Sequence, residues 1–298
     1  MSSAIITACL FAISALCGAR SARIFGSATA NLGRIVIALV LLGLWAFTFG
    51  KGIAGEGLWW FIISGCIGFG FGDMALFGAF SRIGPRLTVL LTHCLAGPLA
   101  GVIEWIWLGQ IISLSEAFCG AVILVGVAAA LLPDRKMPAN TVFWSGVGFG
   151  VLSAVGQGAG AVISRKANWL NLAAATPIDG GTAAFQRMLG GFVVTVLCVM
   201  ALSKWRSTSF LAPDSGKLRP GWHYMALNGL LGPSLGVGFF QFALSTTPSA
   251  IVLAIVATCP VIVMLLQSFT GEEKPTALSV AGALVAVGGA IALTQLKG

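Results

Sequence analysis

The chain has 298 residues, of which 57% are hydrophobic and only 9% charged, and its mean hydropathy is +0.97. Soluble domains carry about 25% charged residues, so this composition cannot clothe a water-facing surface and most of the chain must face lipid. A net charge of +8 would point to nucleic acid in a soluble protein. Here the basic residues fall between apolar runs, where they act as topology determinants, and nucleic acid is excluded as a partner.

Crossing the hydrocarbon core takes roughly 20 apolar residues in a helix. Ten such runs are expected, at 4–20, 28–49, 58–80, 86–108, 114–132, 142–164, 180–203, 221–244, 249–269 and 276–296. The first run has no basic stretch before it and reads as a membrane helix rather than a cleaved signal. The gaps carry breakers and charges, notably around Gly84–Pro85 and over 133–136, and the longest polar gap is 204–221. Tryptophans such as Trp45, Trp59, Trp105, Trp144 and Trp222 stand at run ends, as an interfacial belt requires. All seven cysteines lie within apolar runs and none forms a CxxC pair, so they read as packing residues, with neither a metal nor a cofactor expected.

The two halves resemble each other. At an offset of 164, Gly65 meets Gly229, Gly68 meets Gly232, Gly72 meets Gly236 and Ala79 meets Ala243. Farther on the offset is 162, with Pro98 against Pro260 and Gly126 against Gly288. ThrAlaAsnLeuGlyArg (29–34) matches ThrAlaAlaPheGlnArg (182–187), which pairs Arg34 with Arg187. Five is an odd number of crossings, so the second copy enters from the opposite face. The expected fold class is therefore an all-α integral membrane protein of two inverted five-helix repeats, 1–132 and 141–298.

The segments starting at Pro98 and Pro260 each run about a dozen residues to a glycine followed by Gln110 or Glu272. On this pattern the chain resembles the drug/metabolite transporter superfamily, in particular the EamA-like ten-helix carriers of bacteria. Gln110 departs from it, standing where that family usually has Glu. The resemblance covers nearly the whole chain and implies transport of a small molecule across a bacterial inner membrane. It also implies cytoplasmic termini. The charge count points the other way: eleven Lys and Arg lie on the face of the first inter-helix loop and four on the face of the termini. By the positive-inside rule that puts the termini outside.

A charge at the bilayer centre costs about 2.5–3.5 kcal/mol on insertion scales, so each one needs a reason. Arg34, Asp73 and His93 each lie six or seven residues in from the same face, roughly 9–11 Å deep at 1.5 Å per residue. The group reads either as a structural ion pair or as a substrate site in which Arg34 holds an anion and Asp73 and His93 exchange protons. On the fourth helix Arg86, His93, Gly97 and Glu104 fall within about 20° of one line and should face the interior. Glu104 reads slightly better as an interfacial side chain beside Trp105 and Trp107. In the second half Arg187 mirrors Arg34, but Asp73 is matched by Val237 and His93 by Ile255. Gln157, Asn228, Gln241 and Gln267 supply neutral polar groups that either line a cavity or join helices.

Glycine clusters at 68–73, 146–150 and 156–160 lack the strand context and GKS/GKT of nucleotide loops, and the small-xxx-small pairs Gly68/Gly72, Gly97/Gly101, Gly156/Gly160 and Gly232/Gly236 read as helix-packing seams. No catalytic motif of the HExxH, Ser/Lys or Asp/Asp kind is present, and an enzyme is not expected. The expected function is a secondary transporter of a small polar or amphipathic, amino-acid-like metabolite. Its expected energy source is the proton, with the bilayer and the substrate as partners, in a monomer or homodimer. The alternative is an organic-anion facilitator or exchanger that uses Arg34 and Arg187 without protons.

Overall fold

The computed structural model describes residues 2–109, 113–131, 141–206, 218–247, 249–270 and 276–297, and all regular structure in them is helical. The remainder contains Gln110, Glu272 and most of the two polar gaps at 133–136 and 204–221, so those expectations fall outside the described residues. Seven helical stretches among the described residues are long and apolar enough to cross a membrane, with shorter apolar helices over Leu114–Val127 and Ala277–Ala292.

The first helix, α1 (Ser2–Phe25), shows how these residues sort. Ala4, Ala8, Ala12, Ala15, Ala19 and Ala22 face inward at helical spacing, while Ile5, Ile6 and Ile13 face outward. The molecule repeats this inside-out pattern elsewhere, with Phe47, Trp59 and Phe269 largely exposed. Lipid tails are as apolar as leucine, so burial is driven by close packing of small residues rather than by escape from water. Gly26, at φ 80°, turns the chain from α1 into α2 (Ser27–Thr48).

A single stretch from Leu58 to Trp107 has 50 residues. At 1.5 Å per residue it would measure about 75 Å, over twice the hydrocarbon thickness. It is broken where the sequence places a gap: Gly84 leaves helical geometry at φ 73° and ψ 175°, and Pro85 follows. The stretch comprises α3 (Leu58–Gly65), a π-helical segment (Cys66–Gly72) and α4 (Asp73–Leu108). Beyond α5 (Leu114–Leu131), α6 (Thr141–Ala173) and α7 (Gly180–Arg206) the arrangement recurs. There α8 (Leu218–Gly229) passes through a second π-helical segment (Leu230–Gly236) into α9 (Val237–Thr246). The two π segments coincide at the offset of 164 read from the glycines. π-Helical turns are rare and concentrate at functional positions.

The expected single run 249–269 is instead two helices, α10 (Ser249–Val256) and α11 (Cys259–Thr270), and α12 (Ala277–Lys297) follows. Pro260 has no N–H to return to the preceding turn, and the helix parts just before it. Within this break the Ala257 carbonyl accepts a contact from Cys94 Sγ at 3.7 Å. Pro98, its sequence counterpart, is carried without a break in the part of α4 that follows Gly84.

Glycines set how closely the helices approach. Gly68 and Gly72 meet Gly160 and Gly156, and a Cβ on Gly156 would stand 2.7 Å from the Gly72 Cα. A Cβ on Gly65 would stand 1.7 Å from the Arg187 carbonyl oxygen on α7. The packing reading fails for Gly97 and Gly101, where a Cβ would meet nothing within 4 Å. Near the α7 N-terminus Asp179 accepts from the Thr182 amide at 2.9 Å and from Trp45 Nε1 at 2.8 Å, joining α2 to α7. Burial works to raise the Asp179 pKa, but these donors and the Thr182 hydroxyl hold it below the ordinary carboxylate value.

Gly65→Ala must push α3 off α7, and we expect it to destabilise the detergent-purified protein by about 1–3 kcal/mol or more. Gly97→Ala should melt within about 0.5 kcal/mol of the parent. Equal melting of the two variants would contradict this packing.

Candidate functional site

Two polar links join elements from opposite halves. Ser64 on α3 donates to the Gly160 carbonyl at 2.7 Å and shares a 2.8 Å hydrogen bond with Ser164 on α6. Asn228 on α8, the 164-offset match of Ser64, donates to the Ser14 hydroxyl at 2.9 Å and the Ser14 carbonyl at 2.6 Å on α1. The arginines follow the same scheme. A Cβ on Gly68, in the first π segment, would lie 2.9 Å from Arg187 Nη2, and one on Gly232, in the second, would lie 3.7 Å from Arg34 Nη1.

Arg34 projects from α2 into the interior and is 5% exposed. Its Nε donates to Asn31 Oδ1 at 3.0 Å, its Nη2 is hydrogen-bonded and ion-paired to Asp73 Oδ2, and its guanidinium lies 4.7 Å from the Phe77 ring centre. Asp73 is the first residue after the first π segment, so that segment sets where the carboxylate points. Buried charges survive when paired and hydrogen-bonded, whereas removing one partner of such a pair costs about 3–5 kcal/mol.

The pair borders a cavity of about 50 Å³ that is also lined by His93, Gln157, Asn228 and Ser14, with Phe11, Phe69, Phe77 and Phe80 as apolar walls. His93 stacks on Phe11, with ring centres 5.7 Å apart and planes 12° from parallel. At roughly 10–15 Å³ of such volume per water, the cavity has room for a few waters. A metabolite enters only if the surrounding helices part.

Four of the seven residues singled out from sequence, Arg34, Asp73, His93 and Gln157, thus meet at one cavity. The other three lie elsewhere. Glu104 is buried between helices rather than interfacial: it accepts from the Ser249 hydroxyl on α10 and faces Arg165 Nη1 on α6 at 3.6 Å, and its Oε2 has no hydrogen-bond partner among the described residues. The polar line along α4 therefore turns to separate neighbours, since Arg86 donates to Ser279 on α12. Gln241 is 1% exposed, and neither atom of its amide has a hydrogen-bond partner among the described residues. Arg187 is also 1% exposed, with its guanidinium 4.9 Å from the Phe69 ring centre. Among the described residues it forms no ion pair and no hydrogen bond.

Reasoning from sequence missed Phe11, Ser14, Asn31 and Arg165. Asn31 was detectable, because it precedes Arg34 by three residues and so shares its helix face. Phe11 and Ser14 carry no signal in an apolar run. No group of His, Cys, Asp and Glu among the described residues is arranged to hold a metal.

Apolar helices of this length, enclosing charged and amide side chains around an internal cavity, define a multi-pass membrane protein with a polar interior site. The model of the EamA-like transporter family matches residues 144–295, and the chain belongs to that family: it is a membrane transporter of the drug/metabolite type. A solved crystal structure of a protein aligns with 99% of this chain and 97% of its own, at TM-score 0.69 and 16% identity, and so shares its fold. A comparison with curated proteins finds no match.

A double-mutant cycle tests the buried pair. Arg34→Met and Asp73→Leu should each destabilise by about 3–5 kcal/mol, and the double variant by clearly less than their sum. Additive losses in thermal unfolding would contradict a direct, energetically coupled pair.

Proposed function

We propose that this protein is a secondary transporter that moves a small polar or amphipathic, amino-acid-like metabolite by alternating access. The observation that carries the reading is the Arg34–Asp73 pair beside His93 at one internal cavity. Both charge signs at an aromatic-walled cavity suit a zwitterion with an apolar part. Asp73 and His93 are the titratable groups at hand for proton exchange. A proton on Asp73 releases Arg34 to an incoming carboxylate, and its loss restores the pair and expels the substrate.

Residues 1–132 and 141–298 form the two moving repeats, inverted relative to each other. The reciprocal links Ser64–Ser164 and Asn228–Ser14, and the matched π segments, support this division. The repeats also share apolar clusters, such as Leu87, Leu90 and Ile123 with Phe143, Ala254 and Ala286, so rocking must slide these faces past one another while the glycine seams keep the backbones close. The transporter resides in a bacterial inner membrane, with the more basic face in the cytoplasm, as a monomer or homodimer.

A second reading, anion exchange without protons, is favoured by one observation: Arg187 is buried with no ion-pair partner of its own among the described residues.

Asp73→Asn keeps an acceptor for Arg34 and should leave the protein folded. In proteoliposomes it should abolish uptake driven by a pH gradient while retaining counterflow of the same substrate. Undiminished gradient-driven uptake would remove Asp73 from the coupling role.

A further inference from the structure

We propose that Arg187 is a second anion site, closed off from the cavity by the Phe69 ring, and that it takes the carboxylate of an apolar monocarboxylate during transport. The proposal rests on the second transport reading above, anion exchange, and deepens it by naming the anion that Arg187 binds.

Charge comes first. Arg34 is neutralised by Asp73, so the Arg34–Asp73–Arg187 group holds one positive charge in excess, deep among apolar helices. Asp73 is near enough to attract Arg187 electrostatically, but its carboxylate is bonded to Arg34. The Phe69 ring is a weak substitute for an anion, because cation–π attraction is worth only about 0.5–2 kcal/mol. A guanidinium in hydrocarbon without an anion is among the costliest arrangements a membrane protein can hold, and it marks a site of function.

The internal match says what is missing. Arg34 packs by the second π segment and takes its acid from Asp73, just after the first. Arg187 packs by the first π segment, so its acid should come just after the second. That residue is Val237. Val237 lines the cavity, so the place of the absent carboxylate opens onto the substrate space.

Access and chemistry follow from Phe69. Its ring both lines the cavity and covers Arg187, so a change of its rotamer joins the two. Gly68 and Gly160 flank the guanidinium and present no side chain to block an entering group. The aromatic walls then suit the body of a carboxylate whose remainder is apolar.

The test is binding of radiolabelled phenylacetate to the full-length protein in detergent, with neutral phenylacetamide and cationic phenethylamine as competitors. We expect saturable binding, and phenylacetamide competing at least tenfold more weakly than unlabelled phenylacetate. Arg187→Met and Val237→Asp should both abolish binding, the latter by supplying an internal acid, with Val237→Asp melting no lower than the parent. The proposal is overturned if phenylacetate does not bind, if charge makes no difference to competition, or if both variants bind as the parent does. Ala15→Phe, which fills the cavity, separates the two levels of the argument. Loss of binding in Ala15→Phe alone keeps the cavity and removes Arg187 from it, whereas retention in all three variants removes the cavity as well.

Discussion

A buried guanidinium needs an anion, and in hydrocarbon it needs one at hydrogen-bonding distance. The Arg34–Asp73 pair answers that need, and much of the interior is arranged around it. Asn31 orients the arginine, Phe77 covers it, and the π turn over Cys66–Gly72 delivers Asp73 to it. The same constraint makes the pair suitable for transport. Adding a proton or a competing carboxylate changes the balance of charge at a place where water cannot mask the difference.

The second consequence is an interlock. Arg34 belongs to the first half but packs by the second half's π segment, and Arg187 does the reverse. Ser64 and Asn228 repeat the exchange in their bonds to α6 and α1. Each half thus completes the other's interior, so a relative tilt of the halves alters both arginine environments together. The halves differ in one respect that matters chemically. The first supplies a carboxylate at Asp73, and the second has Val237 in the matching place.

Much of this was legible in the sequence because membranes impose simple rules. Lipid demands long apolar runs, and intramembrane charges are so costly that Arg34, Asp73, His93 and Arg187 stand out individually. Equal depth from one face was enough to bring the first three together. Glycine spacing foretold the offset at which both π segments occur, but not the π turns themselves, since those depend on where neighbouring backbones press. Depth along a helix says little about azimuth. Hence Glu104 was expected at the interface yet lies buried between α6 and α10, and Gly97 was expected to pack yet borders open space. The aromatic walls from Phe11 and Phe77 were hidden because any phenylalanine in an apolar run looks like lipid contact.

The cavity is too small for a metabolite in this conformation, so ligand binding must be coupled to movement of the helices around it. Thermal unfolding in detergent against amino acids, organic anions, nucleobases and quaternary amines tests the central claim most directly, using the parent, Arg34→Gln and Asp73→Asn. The account predicts saturable stabilisation of the parent by one chemical class, lost in both variants. Stabilisation that survives both substitutions would contradict it and reduce the Arg34–Asp73 pair to a structural tie between helices.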